Sequence, residues 1–150
     1  MIILTIKQQL EENLKEAMKS QDEDRKRVYR VVLASIRYLE KEQGKPLDDP
    51  ATVEVLQKEI KIRREMIADA LKADRLESIE EKELEINLIE TFLPKQLSED
   101  EIKEIVQKTI AEVGAVSPAD MGKVMKAVLP QVKGLAPNDQ VSRTVRELLQ

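Results

Sequence analysis

Phe92-Leu93-Pro94-Lys95-Gln96-Leu97-Ser98-Glu99-Asp100-Glu101 decides how this chain of 150 residues divides. Proline has no backbone N–H and disfavours helical geometry in the residue before it, so a helix must end at or before Leu93. Ser98, followed three residues later by Glu101, forms a capping box that starts a new helix at once. The stretch predicts a short joint between two helical units, residues 1–93 and 94–150.

The composition agrees with helices on both sides. Hydrophobic residues are 41% of the chain but aromatics only 2%, so the core must be built from Leu, Ile, Val, Met and Ala. Strands favour Tyr, Phe, Trp, Thr and Val, of which only Val is plentiful. Four Gly and six Pro leave little material for hairpin turns. The expected fold is all-α, with an N-terminal bundle of about four helices and a C-terminal three-helix domain.

Upstream of the joint, Thr5 and Gln8 form a capping box for a first helix with its stripe at Ile6, Leu10, Leu14, Ala17 and Met18. Ser20-Gln21-Asp22 makes a break, and Asp22 or Asp24 caps the second helix. That helix is expected to bury Val28, Val31, Val32, Ser35, Ile36 and Leu39. Its opposite face carries Lys26, Arg30, Arg37 and Lys41. These read either as a basic ridge for a polyanion or as a solvated face whose aliphatic stems cover apolar neighbours. Acidic flanks, and no aromatic on the ridge for base stacking, favour the second reading. Gly44 predicts a left-handed C-cap.

Asp48 or Asp49 caps the third helix, with Pro50 in its first turn. One apolar stripe is Val53, Leu56, Ile60, Ile67 and Leu71; a second, on another face, is Val55, Ile62 and Met66. Two faces mean burial between neighbours or contact with another protein. Lys61, Arg63 and Arg64 among Glu59 and Glu65 read as intrahelical pairs worth a few tenths of a kcal/mol. Ser78 and Glu81 predict a capping box for the fourth helix. Its acidic first half, Glu80 to Glu85, reads as a solvated run, and its inner positions are Ile79, Ile86, Ile89 and Leu93.

Beyond the joint, the fifth helix runs on Ile102, Ile105, Val106, Ile110 and Val113 to Gly114. Ser117 is the expected N-cap of the sixth, with Pro118 at its first position and Asp120 facing back. Met121, Val124, Met125 and Val128 point inward. Pro130 weakens any continuation, so residues 132–137 are expected to be loop. Asn138 or Asp139 caps the last helix, with Val141, Val145, Leu148 and Leu149 inward. The net charge of −4 is unevenly placed: there are 17 Lys+Arg against 21 Asp+Glu up to Leu93, but 5 against 3 from Gly114 onward. A mildly basic end is compatible with phosphate contacts.

Much chemistry is excluded. The chain has no His and no Cys, which removes the usual neutral-pH general base, the commonest metal ligand and thiol nucleophiles. Neither Gly44-Lys45 nor Gly122-Lys123 fits a phosphate-binding glycine loop. No catalytic residue, metal ligand or cofactor site is therefore expected. The best candidate for a working surface is Ser117-Pro118-Ala119-Asp120-Met121-Gly122-Lys123-Val124-Met125. Glycine costs a helix about 1 kcal/mol, so at Gly122 either a ligand approaches the backbone or a neighbouring helix sits close. Lys123, Lys126, Lys133, Arg143 and Arg146 could line phosphates without reading base sequence.

In combination, Leu93 to Glu101, Ser117 to Met125, Lys133-Gly134 and Val141 to Leu149 resemble the GatB/YqeY family, in particular its stand-alone YqeY-like members. Arg25 to Arg37, Glu59 to Arg64 and the acidic fourth helix are similar to the N-terminal half of those proteins. The resemblance implies two helical domains, the second similar to the tail of the B subunit of tRNA-dependent amidotransferases. Those enzymes are glutamine-dependent carbon-nitrogen ligases whose tail contacts tRNA while other domains do the chemistry. What carries over is a tRNA contact through Gly122-Lys123 and Lys133-Gly134. Ala136-Pro137-Asn138 departs from the glycine turn frequent in the family. The expectation is a non-catalytic accessory protein that binds tRNA or the tRNA-charging machinery. The alternatives are a protein-interaction module, or a modulator of an amidotransferase carried on other chains. Ile2-Ile3-Leu4 is too short for a signal-peptide core and no apolar run could span a membrane, so a cytoplasmic location is expected.

Overall fold

The computed structural model describes residues 3–150; the apolar run Ile2-Ile3-Leu4 begins outside them. Among the described residues there are seven α-helices, one 3₁₀ turn and no strand. The helices are α1 (Ile6–Lys19), α2 (Glu23–Gln43), α3 (Asp49–Lys72), α4 (Leu76–Glu90), α5 (Glu99–Val113), α6 (Met121–Val132) and α7 (Asn138–Leu149), with the 3₁₀ turn at Pro118–Asp120. The chain separates into two compact units, one ending at Leu93 and one beginning at Pro94.

In the first unit α1 packs on α2 and α3 on α4, and α2 and α3 join the two pairs. Leu10, Val28, Val32, Leu33, Ile36, Leu56 and Ile89 form its dry centre. Tyr29 and Phe92 meet edge-to-face with ring centroids 5.4 Å apart, tying the end of the unit to α2. Asp22 caps α2 and Asp48 caps α3 through their side chains, while Thr5 and Gln8 close the capping box of α1. Gly44 takes φ +71°, a conformation that costs other residues about 1–2 kcal/mol.

Expectations about helix faces and ends fail at three places in this unit. The inward face of α2 is turned towards Tyr29 and Leu33; Val31 and Leu39 are exposed and Ser35 is half-buried. Packing against α1, α3 and α4 selects an arc displaced from the one the aliphatic stripe marks out. Met18, Met66 and Leu71 are also exposed, because no element covers those parts of their helices. Ser78 and Glu81 do not cap α4, which starts earlier, at Leu76, without a side-chain cap.

The second unit is three mutually packed helices around Ile102, Val106, Val124, Val128, Val132, Val141 and Val145. Ser98 and Glu101 close the expected capping box, and Gly114 ends α5 at φ +71°. The Ser98 N–H hydrogen bond, then that of the Ser98 side chain, holds the Glu101 carboxyl below its ordinary pKa. Two further expectations fail. Helix α6 runs through Pro130 to Val132: Pro130 is exposed, and burial of Val128 and Val132 holds the last turn across it. Helix α7 begins after Pro137 with no side-chain cap; Asn138 is already its first residue.

Candidate nucleic-acid interface

The segment before α6 is shaped by Pro118 and Asp120. Ser117 is extended and its side chain makes no cap bond. The Asp120 N–H donates to the Ser117 carbonyl at 2.9 Å, and Asp120 Oδ2 accepts from the Val116 N–H at 2.9 Å. This turn presents Gly122 in the first turn of α6. A Cβ built on Gly122 would meet nothing within 4 Å. No neighbouring helix accounts for the glycine, so the close-packing explanation is excluded.

Lys123 and Lys126 are exposed neighbours at i,i+3 on α6. Lys133 lies at the other end of that helix, about 15 Å along its axis. Gly134 follows at φ +77°, a left-handed conformation suited to glycine. Its carbonyl accepts from Gln96 Nε2 at 2.9 Å, and the Leu97 N–H donates to the Leu135 carbonyl at 2.8 Å. The Lys133-Gly134 corner is thereby fixed to the segment following Pro94. Arg143 and Arg146 are exposed at i,i+3 on α7, outside Val141 and Val145. None of these five cations forms an ion pair with a described residue.

The basic face of α2 is different. Lys26 Nζ is 2.7 Å from Glu23 Oε1 and half-buried, so it leaves the ridge. Arg30, Arg37 and Lys41 remain exposed.

Arg63 departs from its sequence reading. It is buried, donating through Nε to Glu85 Oε1 at 2.9 Å and through Nη1 to Glu59 Oε2 at 2.8 Å. Glu85, expected in a solvated run, is also buried, and receives Lys82 Nζ at 3.3 Å and Arg27 Nη2 at 3.3 Å. Ser35 Oγ donates to Glu59 Oε1 at 2.9 Å, so the network binds α2, α3 and α4 together. Burial pushes the Glu85 pKa up, but hydrogen bonds and charge from Arg63 and Lys82 outweigh it and hold the carboxyl below its ordinary value. The signal lay in the register: Arg63 falls seven residues after Leu56 on the core stripe, and Glu85 four before Ile89. A carboxylate so neutralised serves packing. No described group of His, Cys, Asp and Glu is arranged to hold a metal ion.

No described helix is long and apolar enough to cross a membrane. A protein of Lachancea thermotolerans named altered inheritance of mitochondria protein 41, mitochondrial, is 34% identical over 113 residues, 73% of this chain and 60% of its own length. The protein of the same name from Eremothecium gossypii is 34% identical over 56% of this chain and 46% of its own. An uncharacterized protein of Schizosaccharomyces pombe is 33% identical over 59% of this chain and 72% of its own. The chain thus spans less than two thirds of the two longer relatives. The model of the Yqey-like protein family matches residues 7–149, taking in both helical units and the joint at Pro94. The chain belongs to the YqeY-like family.

Proposed function

We propose that this chain is a non-catalytic binding module whose C-terminal unit, residues 94–150, holds the phosphate backbone of an RNA, tRNA in the first instance. The observation that carries the reading is the set of five exposed cations, Lys123, Lys126, Lys133, Arg143 and Arg146, with no ion-pair partner among the described residues. Unpaired cations on a fixed scaffold need not break an internal salt bridge to meet a phosphate. The open space at Gly122 lets a ligand come close to the backbone beside Lys123. Contacts of this kind position a nucleic acid without reading its bases. In this reading the two units are separate domains, and the module works in the cytoplasm on tRNA or on the proteins that charge it.

The test is fluorescence anisotropy of labelled total tRNA and of a random oligoribonucleotide against the full chain at increasing salt. Each phosphate contact contributes about 0.7–0.9 to the slope of log K against log salt. Lys123→Glu with Lys133→Glu is expected to abolish tight binding and to lower the slope by at least about 1.4. Equal affinity for tRNA and random RNA refutes the choice of tRNA, and an unchanged slope in the double variant refutes phosphate binding at these lysines.

A further inference from the structure

The first unit carries a second surface, independent of the cations on α6 and α7. Helices α2 and α3 leave a groove of about 680 Å³ between them, floored by Val31, Ala34, Tyr38, Leu39, Val55 and Ile62. Val31 is 43% exposed and Tyr38 64% exposed. Val55 closes the base of the groove, but the α2 wall is open along its length, unlike the enclosed sites that bury most of a small ligand. From Val31 to Gln43 the groove follows α2 for about 18 Å, some three turns of helix. The residues here are the ones whose sequence reading failed: Val31 and Leu39 have helical spacing but no core to enter. Val55 and Ile62, from the second stripe of α3, line the same depression.

Charge decides what fits. Arg30, Arg37 and Lys41 adjoin Ala34 and Tyr38 along the outer edge of α2 at i,i+3 and i,i+4 spacings, and all are exposed. Arg37 also contributes its charge to lowering the Glu40 pKa. The α3 side of the groove carries Glu54, Lys58 and Glu59; Glu59 is already neutralised by Arg63, which leaves Glu54 and Lys58, one of each sign. One edge is therefore basic and the other balanced, around an apolar floor. Nucleic acid would match the edge but would lay its phosphates against aliphatic carbon. We infer that the groove docks an amphipathic helix of a partner protein, about three turns long, apolar on one face and acidic along the edge that meets Arg30, Arg37 and Lys41. Main-chain polarity is satisfied within such a helix, so the apolar floor meets only side chains.

The probes are synthetic helices of about 15 residues. One has Leu at i, i+3, i+4 and i+7 with Glu along one adjoining edge, one replaces those Glu by Lys, and one scrambles the acidic sequence. Anisotropy against the full chain should show the acidic helix binding at least about tenfold more tightly than either other. Val31→Glu, at a position exposed enough to tolerate charge, should weaken it by about tenfold or more, with the helical melting curve unchanged. Arg37→Glu with Lys41→Glu should reverse the preference in favour of the Lys peptide. Equal binding of the three peptides, or affinity indifferent to Val31→Glu, overturns the inference. So does an oligoribonucleotide that binds the groove and is released by Val31→Glu, or a dimer of the chain that the same variant dissociates.

Discussion

Arg63→Met tests the buried network that ties the first unit together. The Arg63 side chain is 8% exposed and that of Glu85 3% exposed. Removing one partner of a buried pair typically costs about 3–5 kcal/mol, because the other charge is left behind. Glu85 would keep Lys82 and Arg27, each at 3.3 Å, and Glu59 would keep Ser35 at 2.9 Å. The expected loss is therefore at the lower end, about 3 kcal/mol. In a unit of this size that lowers the melting temperature by roughly 10–20 °C. Arg63→Met combined with Glu85→Leu should regain most of it, because apolar replacement of a whole buried pair is often neutral. Urea unfolding followed by helical circular dichroism is the assay, as the chain has no Trp. A single-variant loss under about 1 kcal/mol, the scale of an exposed pair, refutes the reasoning. A double variant no more stable than the single one does so too.

Gly122→Ala fills only open space and should stabilise α6 by about 0.5–1 kcal/mol, while weakening tRNA binding; a stabilised variant with undiminished binding removes the role given to that backbone. Ser98→Ala should cost about 1 kcal/mol by opening the cap of α5, seen as a lower midpoint for the C-terminal unit expressed as residues 94–150 or within the whole chain. Glu40 is held below its ordinary pKa by the Lys7 ammonium and then the Leu47 N–H, and Glu85 by the Arg63 network against its own burial. Both carboxyls titrate near about 4.3 when unfolded, so their contribution is complete above that pH and is lost as pH falls through the lower folded values. Melting temperatures should be level from neutrality to about pH 5 and fall below it; a level profile down to about pH 3 would contradict both assignments.

Helix ends formed by local bonds were legible in the sequence. Thr5 and Ser98 cap through partners three residues away, and Gly44 and Gly114 stop their helices by adopting a left-handed conformation; for α2 and α3 the sequence left two aspartates each, and the structure caps with Asp22 and Asp48. Such interactions are complete within one turn, so the local sequence determines them. The exposure of Lys123, Lys126, Arg143 and Arg146 was legible for a similar reason: helical spacing puts them opposite a valine-rich stripe, whereas Lys133 lies just past the end of α6. Their freedom from ion pairs was not, since pairing depends on the other helices.

Tertiary structure alone decided the rest. Arg63 meets Glu85 across 22 residues, and Arg27 meets it across 58. A charge on a core register can be paired only by a helix whose position the sequence does not specify. Packing against α1, α3 and α4 likewise chose the face of α2 that is buried, which left Val31 outside it; Leu39, seven residues after buried Val32 on the same face, is also exposed, and both line the groove. Burial of Val128 and Val132 carried α6 through Pro130 against the local cost of a missing N–H. Local hydrogen bonds fix the helix ends at Thr5, Ser98, Gly44 and Gly114, but at Ser78 and Pro130 the local signal did not set the end; which face of a helix is buried depends on the surfaces that pack against it.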